Sequence, residues 1–233
     1  TKVYFNMLSG WAKVAKKIKL LNTQDYLAIR KEAFVNDAIN LNGPPYDADI
    51  YKALIYPDLS LFDQNKYTDW QKELIGNTAQ YRDVQAAVSG GSNSTQFSFS
   101  TGYHRETTVF PGDLSDTKGT IGLKLNHLSP NQKFHVEFSA NYMEDKNRLI
   151  NMDLTSLALN TPPNAPSMYK ADGSINWQPS STGISSFIDN PARYLDLKFQ
   201  NKSTNLLSNL VTSYNIAPGL TLKSSFGYNK LQS

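Results

Sequence analysis

Seven stretches of this chain alternate apolar and polar residues at every second position, and the connections between them are by turns short and long. Successive side chains of an extended strand point to opposite faces, so period-two alternation marks a strand with one apolar and one polar face. The cleanest case is 134–142. There Phe134, Val136, Phe138, Ala140 and Tyr142 share one face, and Lys133, His135, Glu137, Ser139 and Asn141 share the other. The stretch TQFSFSTGYH, residues 95–104, sets Phe97, Phe99, Thr101 and Tyr103 against Gln96, Ser98, Ser100, Gly102 and His104. The same pattern predicts strands over 2–11, with Val3, Phe5, Met7 and Trp11 interrupted by Leu8, and over 80–89, with Val84, Ala86 and Val88. Further strands are predicted over 118–128 (Ile121, Leu123, Leu125), 204–216 (Leu206, Leu210, Tyr214, Ile216) and 219–230 (Leu220, Leu222, Phe226, Tyr228).

The short connections, Gly90 to Asn93, Ser129-Pro130-Asn131 and Ala217-Pro218-Gly219, have hairpin-turn chemistry. The long ones cover about 12–79, 105–117 and 144–203. In an up-and-down antiparallel sheet alternate connections lie at the same end, so the tight turns fall on one rim and the long loops on the other. Strands of about 9 to 12 residues with that asymmetry are the pattern of an outer-membrane barrel. Tyr103, Tyr142 and Tyr228, near strand ends, suit its interfacial aromatic girdle. On alternation alone a soluble β-sandwich or lipocalin-like barrel fits equally well. The polar residues on the second face and the length of the loops favour the membrane. The expected fold class is all-β: a partial up-and-down antiparallel transmembrane β-barrel, about seven strands of a larger one, with short helices in the first extracellular loop.

Composition excludes several other classes. A hydrophobic content of 39% and a mean hydropathy of -0.46 agree either with strands that are short and half solvated or with strands that line water on one side. The 23 basic and 20 acidic residues leave a net charge of +3, and only Lys13, Lys16, Lys17 and Lys19 cluster, so no nucleic-acid-binding face is expected. Without cysteine there is no disulfide framework and no thiolate metal site. No apolar run approaches the roughly 20 residues of a membrane-spanning helix. The opening TKVYFNMLSG lacks the charged region and apolar core of a signal peptide, so the chain is expected to be cytoplasmic or a piece of something longer. His104, His127 and His135 are too scattered for a metal site, and His135 reads as a solvated wall residue. Asp47-Ala48-Asp49 and the stretch Asp113 to Asp116 lack calcium-loop spacing and read as solvated acidic loop. No phosphate loop, nucleophile elbow or zinc-protease motif is present, and neither a catalytic constellation nor a cofactor is expected.

The first long loop carries helix signals. Asn22 or Thr23 can cap a helix running to Phe34, with Tyr26, Ile29 and Phe34 on one face. A second is expected from Thr68-Asp69-Trp70 to a stop at Gly76, with polar and aromatic loop between them.

The segments KLLNTQDYLAIRKEAF, YTDWQKELIGNTAQYRDVQAAVSGGSNSTQFSFSTGYHRETTVFPGD and DLTSLALNTPPNAPSMYKADGSINW resemble the start of the barrel in SusC/RagA-type TonB-linked outer-membrane transporters. The order of elements is similar as well, across essentially all of 1–233: strand, a helix with L-N-x-x-x-Y, a D-W-Q-x-E-L helix, then S-G-G-x-x-x-T-x-F into the hairpin. The resemblance implies one domain, the N-terminal portion of the barrel of a TonB-dependent transporter in the bacterial outer membrane, with the plug and the TonB-engaging region outside this chain. It implies TonB-dependent import of oligosaccharides beneath a SusD-like surface lipoprotein, with peptides as the alternative cargo. A soluble secreted β-sheet binding protein is the reading outside that family. The implied partners are outer-membrane lipid and lipopolysaccharide, the lipoprotein, the TonB complex and the cargo. The implied mechanism is binding and gated passage, with no bond chemistry and no cofactor. Tyr46, Tyr51, Trp70, Tyr169 and Trp177 are the candidate cargo-stacking residues, packing of the loop itself being the alternative role for each. The Lys13 to Lys19 cluster is expected near the outer rim, where it would meet lipopolysaccharide.

Overall fold

A computed structural model describes residues 1–197 and 199–233, and each alternating stretch is a strand in it. These are β1 (Lys2–Ala12), β2 (Ala79–Gly91), β3 (Thr95–Thr107), β4 (Ser115–Leu128), β5 (Phe134–Asn147), β6 (Asn201–Ala217) and β7 (Leu220–Gln232). They form a single seven-stranded sheet in sequence order, with every neighbouring pair antiparallel and β1 and β7 at its edges. The sheet is therefore an all-β meander that is not closed on itself. Most strands run past their sequence-based limits at the loop end, which shortens the long connections to 13–78, 108–114 and 148–200.

Local chemistry sets the tight turns. Pro218 and Gly219 alone link β6 to β7, and Gly219 has φ of 82°, as the third position of a type II turn requires. At the end of β2, Gly91 has φ of 148°, and a Cβ there would lie 2.0 Å from the Thr95 carbonyl oxygen. Only glycine fits that approach.

The register carries the alternation across the sheet. Val3, Val88, Phe99, Leu123 and Ala140 stand side by side on consecutive strands, and so do Asn6, Gln85, Gly102 and Thr120 on the opposite face. One face is thus apolar and the other polar over the central strands. The apolar face covers no core: Val3 is 79% exposed, Phe99 41% and Phe226 63%. Every buried hydrophobic residue in the described chain belongs instead to the loop-end segments.

Those segments form a cap. The first long loop holds α1 (Thr23–Asn36), α2 (Asp49–Leu54), α3 (Pro57–Ser60) and α4 (Trp70–Ile75), and the third holds α5 (Thr155–Asn160) and α6 (Ala192–Leu195). Asn22 caps α1 by accepting from the Asp25 amide, and Asp69 caps α4 by accepting from that of Lys72. The expected apolar face of α1 is corrected in one respect: Ile29 is 55% exposed, while Leu27 and Phe34 are buried. The region between α1 and α4, read as loop, contains two short helices. Phe62, Trp70, Leu74 and Ile75 of the first loop pack with Leu154, Ala158, Ala165 and Phe187 of the third. The two insertions therefore fold as one body at one end of the sheet.

Candidate functional site

Two surfaces can meet a ligand: the polar face of the sheet and the cap above its loop-end rim. Three open cavities follow the polar face. One of about 790 Å³ near the turn end is lined by Lys2, Gln96, Ser98, Lys124, Asn126 and Glu137 among others. One of about 380 Å³ beside it is lined by His135, Ser213 and Asn215 among others. A third, of about 450 Å³, lies toward the loops against Tyr4, Asp83, Gln85, Gly102, His104 and Lys118. Small residues keep this middle region open. A Cβ on Gly122 would come within 2.7 Å of the Ser100 hydroxyl and 3.0 Å of the Asn141 side-chain oxygen.

Charge is concentrated at the loop end of this face. Asp83, His104, Lys118 and Asp145 stand on neighbouring strands in direct register, and Glu106 and Asp116 form the next pair toward the loops. His104 Nδ1 is 3.4 Å from Asp83, and its Nε2 is 3.8 Å from Glu106. Lys118 Nζ is 4.0 Å from Asp145. One carboxylate oxygen each of Asp116 and Asp145 is buried without a hydrogen-bond partner. His135, read as a wall residue, is on this face too, with Nε2 2.9 Å from Asn126 Oδ1 and 3.5 Å from Glu137. His127 lies on the other face, against the Thr95 hydroxyl at 2.8 Å. Among the described residues no group of three or more His, Asp or Glu is arranged to hold a metal ion.

The cap is held by polar contacts between distant residues. Asp58, 2% exposed, accepts from the Tyr26 hydroxyl at 2.9 Å and from Arg30 Nε at 2.7 Å. The side-chain amides of Gln64 and Asn164 both donate to its carbonyl. Burial, and then the Asp58 carboxylate, push the Tyr26 phenol far above its ordinary pKa. Asp49 corrects the reading of 47–49 as free acidic loop. Its carboxylate accepts from the hydroxyls of Ser180, Ser181 and Thr182 and from the Thr182 amide, a set of donors that holds it well below the usual carboxylate range. Asp113 is likewise paired, with Arg105 at 3.4 Å and Arg148 at 3.0 Å.

Among the described residues the five aromatic candidates make one ring-to-ring contact with each other, that of Tyr46 with Tyr51. Tyr46 and Tyr51 pack edge to face, centroids 5.3 Å apart, ahead of and within α2. Trp70 is 3% exposed, with its ring beside Phe187 at 6.2 Å and Nε1 donating to the Pro162 carbonyl at 2.8 Å. Trp70 is therefore part of the cap core, although its edge borders a cavity of about 310 Å³ shared with Tyr26, Tyr67 and Gln71. Tyr169 is half-buried, and its hydroxyl donates to Asp196 at 2.9 Å. Burial and that carboxylate push its pKa up to about 12. Trp177 is half-buried, and its carbonyl accepts from the amides of Ser186 and Phe187. Sequence reasoning missed the Asp58 and Asp49 hubs. The run Ser180-Ser181-Thr182 is the signal for the second, but nothing local says which carboxylate it holds.

No protein-family model matches the chain, and no curated protein sequence matches it.

Proposed function

We propose that this chain is a wall segment of an outer-membrane TonB-dependent transporter of the SusC/RagA type. On this reading the apolar face meets lipid, the polar face lines the translocation path, and edges β1 and β7 pair with further strands of a closed barrel. The observation that carries the reading is the division of burial. The sheet exposes Val3, Phe5, Met7, Phe99, Leu123, Leu222 and Phe226 on one continuous face, while the buried hydrophobic residues lie at the loop end. A monomer in water rarely shows so large an apolar surface. From Phe134 to Tyr142 the band runs about 26 Å along the strand at roughly 3.3 Å per residue, or about 20 Å across a bilayer at a tilt near 40°. That height suits an outer membrane. The sidedness agrees: tight turns at one end, a folded cap at the other.

The cargo we assign is oligosaccharide, delivered beneath a SusD-like lipoprotein and released inward by TonB-coupled movement of a plug. Half-exposed Tyr46, Tyr51, Tyr169 and Trp177 in the cap supply flat apolar surfaces that suit sugar rings. The hydroxyl and amide side chains of the polar face, such as Ser98, Ser100, Asn126 and Asn141, suit a neutral hydroxylated solute. Peptides are the competing cargo. The test is extraction of the native protein from cell envelopes. Recovery in the outer-membrane fraction as a heat-modifiable band, and loss of glycan uptake when the gene is deleted, are expected. A soluble monomer would overturn the membrane reading, and peptide-dependent growth lost in place of glycan uptake would overturn the cargo.

A further inference from the structure

We infer that the loop-end rim of the apolar face is a binding site for the phosphate groups of an acylated, phosphorylated lipid of the outer leaflet; this rests on the membrane reading above. The register sets Arg82 directly opposite Arg105 across β2 and β3, and Lys146 directly opposite Lys202 across β5 and β6. All four lie on the same face as Phe99 and Leu123, at its loop-end margin. Like charges directly opposed across an antiparallel pair are destabilising. Two such pairs along one margin mark a place where an anion from outside is expected.

The chain's own carboxylates only partly neutralise the row. Glu144 lies 3.0 Å from Lys146 and 3.4 Å from Lys202, so one carboxylate serves two ammonium groups. Asp113 is divided in the same way between Arg105 and Arg148. Among the described residues Arg82 has no carboxylate in ion-pair range, and it donates to the Gln80 side-chain oxygen at 3.1 Å. The opposite face at this end of the strands carries the reverse balance, with the four carboxylates of Asp83, Glu106, Asp116 and Asp145 against the one ammonium group of Lys118. The wall is therefore polarised, positive outward and negative inward, and an anion drawn to it is held on the lipid side.

Position selects the kind of anion. One residue-pair toward the turns, the row gives way to Val84 and Tyr103, and beyond them to Thr101 and Ile121. A free phosphate would engage the cations and leave that band bare. A phosphorylated lipid covers both, with its phosphates on the guanidinium and ammonium groups and its acyl chains along the apolar strands. The site differs from the Lys13 to Lys19 segment, whose lysines follow β1 in the first long loop.

The experiment uses the full-length outer-membrane protein, purified in mild detergent and placed in nanodiscs of phosphatidylcholine with bisphosphorylated lipid A, its dephosphorylated form, or neither. Lipid A held per protein is read by native mass spectrometry. The quadruple variant Arg82→Gln, Arg105→Gln, Lys146→Gln, Lys202→Gln is expected to lose about tenfold or more of the retained bisphosphorylated lipid. Arg82→Lys with Arg105→Lys should retain it, and Lys133→Gln, at the turn end, should change nothing. Wild-type protein should prefer the bisphosphorylated to the dephosphorylated lipid, and free inorganic phosphate should compete weakly. Equal retention by wild type and the folded quadruple variant, or no preference for the phosphates, overturns the site while leaving the barrel standing. Should the quadruple variant fail to fold, Lys146→Gln with Lys202→Gln and the lipid comparison on wild type decide it. A wild-type protein that is not heat-modifiable and not membrane-bound overturns the underlying reading instead.

Discussion

Trp70 Nε1 donates to the carbonyl of Pro162 at 2.8 Å, across 92 residues of chain. The bond joins the first and third long loops through a side chain that is otherwise enclosed by apolar neighbours, Phe187 among them. A buried indole N–H needs such a partner, and the carbonyl supplies it without a second side chain. The two insertions thereby behave as one cap.

Trp70→Ala should remove about 3 to 5 kcal/mol from the cap, as truncations of buried tryptophan do, and Trp70→Phe should cost less because most of the ring volume stays. Both should leave the strands intact. Hydrogen exchange by mass spectrometry on the purified protein checks this: protection should fall in 23–75 and 154–195 and stay unchanged in β2 to β6. Equal loss in the strands would show that the cap and sheet unfold together.

Asp49 gives the cap an acid-sensitive contact. Its pKa is depressed in the folded state, so the stabilisation is fully present above the ordinary aspartate value of about 4 and is lost as pH falls through the lower, folded value. Asp49→Asn should loosen the contact between α2 and the 180–182 segment at neutral pH and remove its acid dependence. Exchange of the Ser181, Thr182 and Gly183 amides at pH 3 and pH 7 measures it. Wild type alone should show the acid-side increase.

Tyr169 acts at the other end of the scale. Its folded pKa is raised, by burial first and then by Asp196, so its contribution is complete below the unfolded value of about 10 and is lost as pH rises toward about 12. Tyr169→Phe should remove one late-titrating phenol from the alkaline absorbance curve at 295 nm. It should also abolish any cap loosening between those two pH values. Loss of a phenol titrating near 10 in place of the late one would place this group in solvent.

The two faces of the sheet should respond oppositely to charge. Leu123→Arg, on the apolar face, should cost about 2 to 4 kcal/mol if that face meets the bilayer interior, enough to diminish the heat-modifiable band. Gln96→Arg, beside Asn126 on the polar face, should leave it in place. Equal tolerance of both changes would remove lipid as the neighbour of Leu123.

Most of the sheet was legible in the chain because its information is local. A residue at every second position either is or is not apolar, and Pro218-Gly219 closes a hairpin from its own dihedral preferences. Alternation also sets which side chains share a face, so the opposition of Arg82 and Arg105 follows once the turn length between β2 and β3 is known. α1 and α4 were readable from their caps, Asn22 and Asp69.

What tertiary structure alone decided is whatever depends on distant neighbours. α2, α3, α5 and α6 have no side-chain N-cap of the kind that marked α1 and α4, and helices this short persist only with packing. The burial of Leu27 in place of Ile29 depends on what α1 packs against, and the pairing of Asp49 with Ser180 to Thr182 spans more than 130 residues. The burial of Trp70 was hidden for the same reason: composition says that it is large and amphipathic, but only the folded loops place it inside the cap rather than on its surface. The sequence by itself determined two faces of opposite polarity; the fold decided that neither is buried by the chain, because the apolar residues able to build a core sit in the loops and pack with one another.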